Sequence, residues 1–525
     1  MRLHLVVAFA YAASVCGQTA PRFEAAEIRP SGPVLNPYTL MSGGVLRGER
    51  YDLRKATMLE LISVAYNVDQ AIVLGGPNWL EFDRFDVAGK APAGTPPDTV
   101  RLMLRSLLAD RFGLAIHEDK RPMPAYALEA EKGAAKMQAS EGAESSGCRF
   151  VPQPQNPALS AYACRNVTMH EFGLQLRNFA NDYLVEPVVD ATGLDGRWDF
   201  DLKWHRRSQV LPAGERRITI FEAIESQNGL KLALRNAPAP VLVIDHVNHE
   251  PTPNSADEAK NLPPRYEEFE VADLKLAKEG PGGLVRQTPG GGFEANAASL
   301  AALVPFAWDI DTSKTNERFV GLPKGYESVR VTIHGRTATH TNSDPLHGQG
   351  WVADDVRAML RNLLVQRFQI KWHYEDRMLD AYSLVSSGKS KLKTADPANR
   401  ATCQEARSMR NDPRDSNPLL AELISCRNVT IAQFAAKLYE IYDDFAFPLE
   451  DATGISGTWD FDLSFTPGWL IRRQTATGGA NASDPNGAIP FDEAISKQLG
   501  LKLEKRKRRL PIVVIDHMEL QPKEN

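Results

Sequence analysis

The chain has 525 residues, 43% of them hydrophobic and 24% charged, with a net charge of −5 and a pI near 6.2. That length exceeds one ordinary domain, and that composition belongs to a chain able to bury real cores. The slightly acidic balance excludes a nucleic-acid binder working by bulk positive charge.

The first element is "MRLHLVVAFAYAASVCGQTA". Arg2 precedes a mostly apolar run from Leu3 to Val15, and Val15-Cys16-Gly17 offers a cleavage point. This pattern predicts a signal peptide over residues 1–17. It is too short to span a bilayer, which takes about 20 apolar residues. Cys16 raises the question of lipidation, but Val15 stands where such signals want a small residue. No later run is long and apolar, so the mature chain is expected to be exported, periplasmic or extracellular, with no transmembrane segment.

Past Phe23 the chain is written twice. "FEAAEIRP" at Phe23 matches "FEVADLKL" at Phe269, and "VRLMLRSLLADRF" from Val100 matches "VRAMLRNLLVQRF" from Val356. "CRNVT" stands at 164–168 and again at 426–430. "DATGLDGRWDFDL" from Asp190 matches "DATGISGTWDFDL" from Asp451, and "VIDH" ends at His246 and at His517. The boundaries are a first copy at 22–248, a polar, proline-rich linker at 249–266 and a second copy at 267–521. A fainter echo lies inside each copy: "YDLRKATMLEL" (51–61) resembles "YACRNVTMHEF" (162–172), so each copy holds two related units.

Within a unit the elements follow from local signals. Thr57, Thr168 and Thr430 each precede an apolar helical run, with Glu60, Glu171 or Gln433 three places on, which is the capping-box spacing. An alternating strand follows, such as "RFDVAGKA" or "WDFDLKW". A second helix carries Val100, Met103, Leu104, Leu107, Leu108 and Phe112 on one face. Two strands around a polar turn, "GLAIHE-DKRP-MPAYALEA", close the unit as a hairpin. The expected class is α+β, a tandem duplication of strand-helix-strand-helix-hairpin units.

These motifs, from Phe23 to His517, resemble those of the bacterial soil-associated protein family, a domain of unknown function, here present as two tandem copies. The resemblance covers nearly all of the mature chain. It departs in the second copy, where "GLPKGYESVRV" replaces "GGPNWLEFDRFDV". It implies an exported protein with no assigned catalytic residues. Similar domains are sometimes joined to membrane metallopeptidases of the β-lactam-sensor type, which implies sensing or binding in the cell envelope.

The candidate chemistry is thin. Asp245-His246 and Asp516-His517 put a carboxylate beside an imidazole, and His117 and His373 recur in both copies. Neighbours along a strand face opposite ways, so neither pair makes a dyad alone. Asp190 and Asp451 in "DATG" echo the Asp-Thr-Gly turn of aspartic proteases, but an alanine intervenes, and a turn aspartate accepting backbone N–H groups is the simpler reading. The glycine runs at 280–283 and 290–292 lack dinucleotide spacing, and "KRKRR" (505–509) falls where the last hairpin turn is expected. No metal-ligand spacing and no cofactor motif is present. Cys148, Cys164, Cys403 and Cys426 remain after signal removal, two per copy at matching places, and should pair as Cys148–Cys164 and Cys403–Cys426.

The resulting expectation is a non-catalytic binding or sensor-type envelope protein, whose partner is an unknown envelope protein or small ligand. Its ligand face is expected between units, near Trp79, Trp198 and Trp459. The alternative is an exported hydrolase using the repeated Asp and His residues.

Overall fold

The computed structural model describes residues 20–32, 36, 41–130, 136–141, 146–154, 156, 159–184, 186–206, 216–277, 284–288, 292–336, 353–388, 390–396, 400–405, 413, 417, 419–442, 445–476 and 487–524. The signal segment with Cys16, and the glycines at 280–283 and 290–291, lie outside the described residues.

The first copy contains strands β1 (Ala25–Pro30), β2 (Ser42–Arg47), β3 (Arg50–Thr57), β4 (Val73–Gly75), β5 (Arg84–Lys90), β6 (Ala115–Ala130), β7 (Gln138–Ala139), β8 (Gly147–Phe150), β9 (Leu159–Val167), β10 (Val188–Asp190), β11 (Trp198–His205) and β12 (Leu230–His246). The second contains β13 (Val271–Leu276), β14 (Leu284–Thr288), β15 (Gly292–Ser299), β16 (Phe319–Val320), β17 (Arg330–Arg336), β18 (Lys371–Ser386), β19 (Lys393–Thr394), β20 (Thr402–Glu405), β21 (Glu422–Val429), β22 (Glu450–Asp451), β23 (Trp459–Phe465) and β24 (Leu501–His517). Helices α1 (Met58–Tyr66), α2 (Pro97–Phe112) and α3 (Met169–Phe179) cover the sheets of the first copy. The class is therefore mixed α+β. Among the described residues each copy has three sheets: β1-β5-β3-β2, β10-β6-β12-β4 and β7-β11-β9-β8 in the first, and β13-β17-β15-β14, β16-β24-β18-β22 and β19-β23-β21-β20 in the second.

The repeated "RNVT" has a local physical cause. Asn166 and Asn428 stand at φ +52° and +51°, where asparagine is among the least strained non-glycine residues. Each sits at a register shift in its strand pairing, so one extra residue is accommodated there. The Asn166 N–H is donated to Asp199 at 2.7 Å and that of Asn428 to Asp460 at 2.8 Å, which explains the aspartate of "WDF". Two residues on, Thr168 and Thr430 turn the chain into a helix, each hydroxyl accepting from the N–H of Glu171 or Gln433. Thr57 does the same with Glu60. Lys55 and Ala297 hold the same left-handed place in the first unit of each copy, at φ +52° and +45°. The fainter internal repeat is thus one left-handed bulge used four times, joined to a side-chain cap in three of them, since Ser299 starts its helix without a side-chain cap bond.

A second shared device opens each copy. A Cβ at Gly89 or Gly335 would lie 2.7 Å from the ring of Phe23 or Phe269, so the phenylalanine of each "FE" start packs flat on a glycine. The cysteines pair as Cys148–Cys164 and Cys403–Cys426, joining the edge strand to "CRNVT" within each copy.

The expected hairpins are not there. "GLAIHE-DKRP-MPAYALEA" is one continuous strand, β6, and it pairs antiparallel with β12 along its whole length, from Leu230↔Ala130 to Ile244↔Ile116. In the second copy β18 and β24 do the same, so "KRKRR" lies mid-strand rather than in a turn. The prolines that read as turn signals are tolerated for a reason visible in the hydrogen bonds. The Tyr126 N–H points outward, to Pro187 O at 2.7 Å. In a strand that pairs on one side, even-numbered neighbours share that direction, so Pro122 and Pro124 lack N–H groups only on the outer edge. Among the described residues no third strand runs there, because β10 reaches only Tyr126–Leu128. The ribbon's two ends belong to different cores: Leu242 and Ile244 join the first, Leu128 and Leu230 the second. Each copy is therefore two units threaded on one long ribbon.

Candidate functional site

The ribbon's end brings together two residues that the sequence kept apart. The β6–β12 register slips between Ile244 and His246, leaving Asp245 in a bulge. The bulge places Asp245 against the cross-strand neighbour His117, whose Nδ1 lies 2.9 Å from the carboxylate. The second copy repeats the pair: His373 Nδ1 is 2.9 Å from Asp516. Both pairs are half exposed. His246 and His517 turn elsewhere, toward Asn248 at 3.1 Å and Glu519 at 3.0 Å.

The "DATG" aspartates are not part of these pairs. Asp190 accepts from the backbone and hydroxyl of Thr192, at 2.9 and 2.8 Å, and Asp451 treats Thr453 likewise at 2.9 and 2.7 Å. Both aspartates serve as turn acceptors. Asp190 lies opposite Leu128, at the far end of β6 from His117. At 3.3 Å per residue that separation is roughly 35 Å. Asp451 and His373 are separated in the same way along β18. Trp79 packs against Phe85 and His249, while Trp198 and Trp459 begin their strands and lean on the second-unit cores.

A cavity rich in charged groups lies where the two copies meet, and single-copy reasoning missed it. Copy one's first unit is gripped by both units of copy two. Arg47 and Arg54 reach Asp355 at 2.7 and 3.1 Å, and Lys55 reaches Asp309 at 2.7 Å. Arg84 spans both oxygens of Glu440 at 3.2 Å, and Arg400 bonds Glu81 at 2.8 Å and the carbonyls of Gln70 and Val73. The segment between the copies is built in too. Asn254 holds both the N–H and the C=O of Ile28, and Arg111 binds Thr252 and Asn254.

This junction holds an open cavity of about 250 Å³. Copy one supplies Arg54 and Lys55, the joining segment Arg265, and copy two Glu267, Trp308, Tyr374 and a set of charged residues around Asp354 and Arg357. The carboxylates here are held by neighbours. Burial works to raise Asp354, but Lys55, Arg54, Arg357 and the Ser42 hydroxyl outweigh it and hold it below the usual range. Burial pushes Asp355 up, against the pull of Arg47 and Arg54. A signal was present in the sequence: Arg54 and Lys55 stand where copy two has Asn296 and Ala297, and Asp355 stands where copy one has Thr99. Among the described residues no cluster of three or more His, Cys, Asp or Glu is placed to hold a metal ion, and no helix is long and apolar enough to cross a membrane.

One family model, described as "Protein of unknown function (DUF3738)", matches the chain twice, over residues 59–247 and 301–518. The two matches cover well over half of the chain, which belongs to this family as two tandem copies. No curated protein and no solved structure matches it.

Proposed function

We propose that this member of the family is an exported binding protein of the cell envelope that holds a small ligand between its two copies. One observation carries the reading: the cavity at the junction draws charged and aromatic side chains from both copies and from the segment joining them. A pocket lined in this way, by many charged groups with Tyr374 and Trp308 beside them, suits recognition of a small polar ligand. It also gives duplication a purpose, since neither copy alone has the whole lining. The two disulfides support an oxidising compartment, and with it export. The separation of Asp190 from the His117–Asp245 pair weighs against a hydrolase assembled from the repeated residues.

A thermal-shift screen of small metabolites on the intact chain tests this. The expected result is a ligand that raises the melting temperature of the parent but not of Tyr374→Ala, and that is recovered unchanged. Ligands that stabilise both proteins equally, or that are turned over, would contradict the reading.

A further inference from the structure

The cavity's charges are not evenly matched. Its lining carries five cations, Arg54, Lys55, Arg265, Arg357 and Arg361, against four carboxylates, Glu267, Asp309, Asp354 and Asp355. Three of the cations are spoken for. Arg54 is bound to Asp355, Lys55 to Asp309, and Arg357 to Asp354 at 3.0 Å. Arg265 and Arg361 have no carboxylate partner among the described residues. Arg361 lies with its guanidinium 5.6 Å from the centre of the Trp372 ring, an arrangement that occupies its face and leaves its edge N–H groups for a planar acceptor. Arg265 has other guanidinium groups for neighbours: partial desolvation, then Arg54 and Arg29, push it below its usual range, with Asp52 pulling the other way. Like charges gathered around a wet cavity are relieved by a bound anion.

A further group fits: Tyr374, half exposed, lines the same cavity and offers an aromatic surface. The surplus of one positive charge favours a monoanion. A phosphate dianion would face Asp309, Asp354 and Asp355 with too little compensation.

From this lining we infer that the ligand is a small organic monocarboxylate, its carboxylate gripped by Arg265 and Arg361 and its body laid against Tyr374. The inference rests on the junction being the binding site, as proposed above, and adds the ligand's charge and class.

The test is isothermal titration of the intact chain at low salt with acetate, benzoate and cinnamate, each paired with its neutral amide, and with inorganic phosphate. At least one carboxylate should bind ten-fold or more tightly than its amide and than phosphate. That preference should be lost in Arg265→Ala and in Arg361→Ala, each with the parent's circular dichroism. Arg361→Lys, which keeps the charge but not the planar edge, should also bind less tightly. If no carboxylate outbinds its amide, the inference is overturned. An amide that binds as well as its acid, with both lost in Tyr374→Ala, would overturn the charge assignment while leaving the junction as the site. Carboxylate binding that is unchanged in both arginine variants would overturn the assignment to these residues.

Discussion

The two copies agree where each unit holds itself together and differ where they face each other. The bulge asparagine, the threonine cap, the aspartate that accepts from the bulge, the glycine beneath the opening phenylalanine and the disulfide occur in both. Part of the junction is built from residues that one copy has and the other lacks, such as Arg54 against Asn296, while Arg84 has a counterpart in Arg330. The ribbons differ as well. Copy one's ribbon centre carries Pro122 and Pro124, whereas copy two's carries "KRKRR", with Lys507 on Asp380 and Arg508 reaching Pro448 and Glu450. Copy two also locks its units with the buried Arg318, which binds the Tyr439 hydroxyl at 2.9 Å and lies over Phe447.

The sharpest way to break this comparison is to change equivalent positions. Arg54→Ala should cost on the order of 3 kcal/mol, because it strips a buried partner from Asp355 and Asp52. Asn296→Ala, at the matching exposed place in copy two, should stay within about 0.5 kcal/mol. Urea unfolding of both variants measures the contrast, and equal losses would mean that the junction contributes nothing.

The disulfides should behave alike, since they belong to the shared frame. Removing either pair should cost about 3 kcal/mol by the chain-entropy estimate. The sequence separations, 16 and 23 residues, lead to a difference of only about 0.3 kcal/mol between them. Calorimetry of the two double serine variants checks this, and a strongly unequal cost would show that the copies rely on their staples differently.

The smallest effects have opposite signs. Thr168→Ala and Thr430→Ala should each lose about 1 kcal/mol, as a lost helix cap does. Ala297→Gly should gain about 1 kcal/mol, because alanine is strained at φ +45° and glycine is not. A loss on Ala297→Gly would show that this left-handed residue is not under strain.

The local devices were legible because each is written in a few adjacent letters. A threonine three places before Glu171 and an apolar stripe from Val100 to Phe112 both specify helices by short-range chemistry. The ribbon was not legible, because "DKRP" carries turn residues and only a partner strand more than a hundred residues away reveals it as extended. His117 and Asp245 were unreadable as a pair for the same reason, since a one-residue bulge decides which face Asp245 takes. The junction cavity was harder still. Its residues come from five separated stretches, and only some of them, such as Arg54, Lys55 and Asp355, lie where the repeats disagree, while Arg357 and Arg361 match Arg101 and Arg105.

The central claim is that the copies form one body through buried ion pairs, with the site between them. A double-mutant cycle on Arg84 and Glu440, read by denaturant unfolding, tests it most directly. The guanidinium and the carboxylate are 7% and 13% exposed and come from different copies. The account predicts a coupling of about 1–3 kcal/mol. Additive losses, with a coupling indistinguishable from zero, would contradict it.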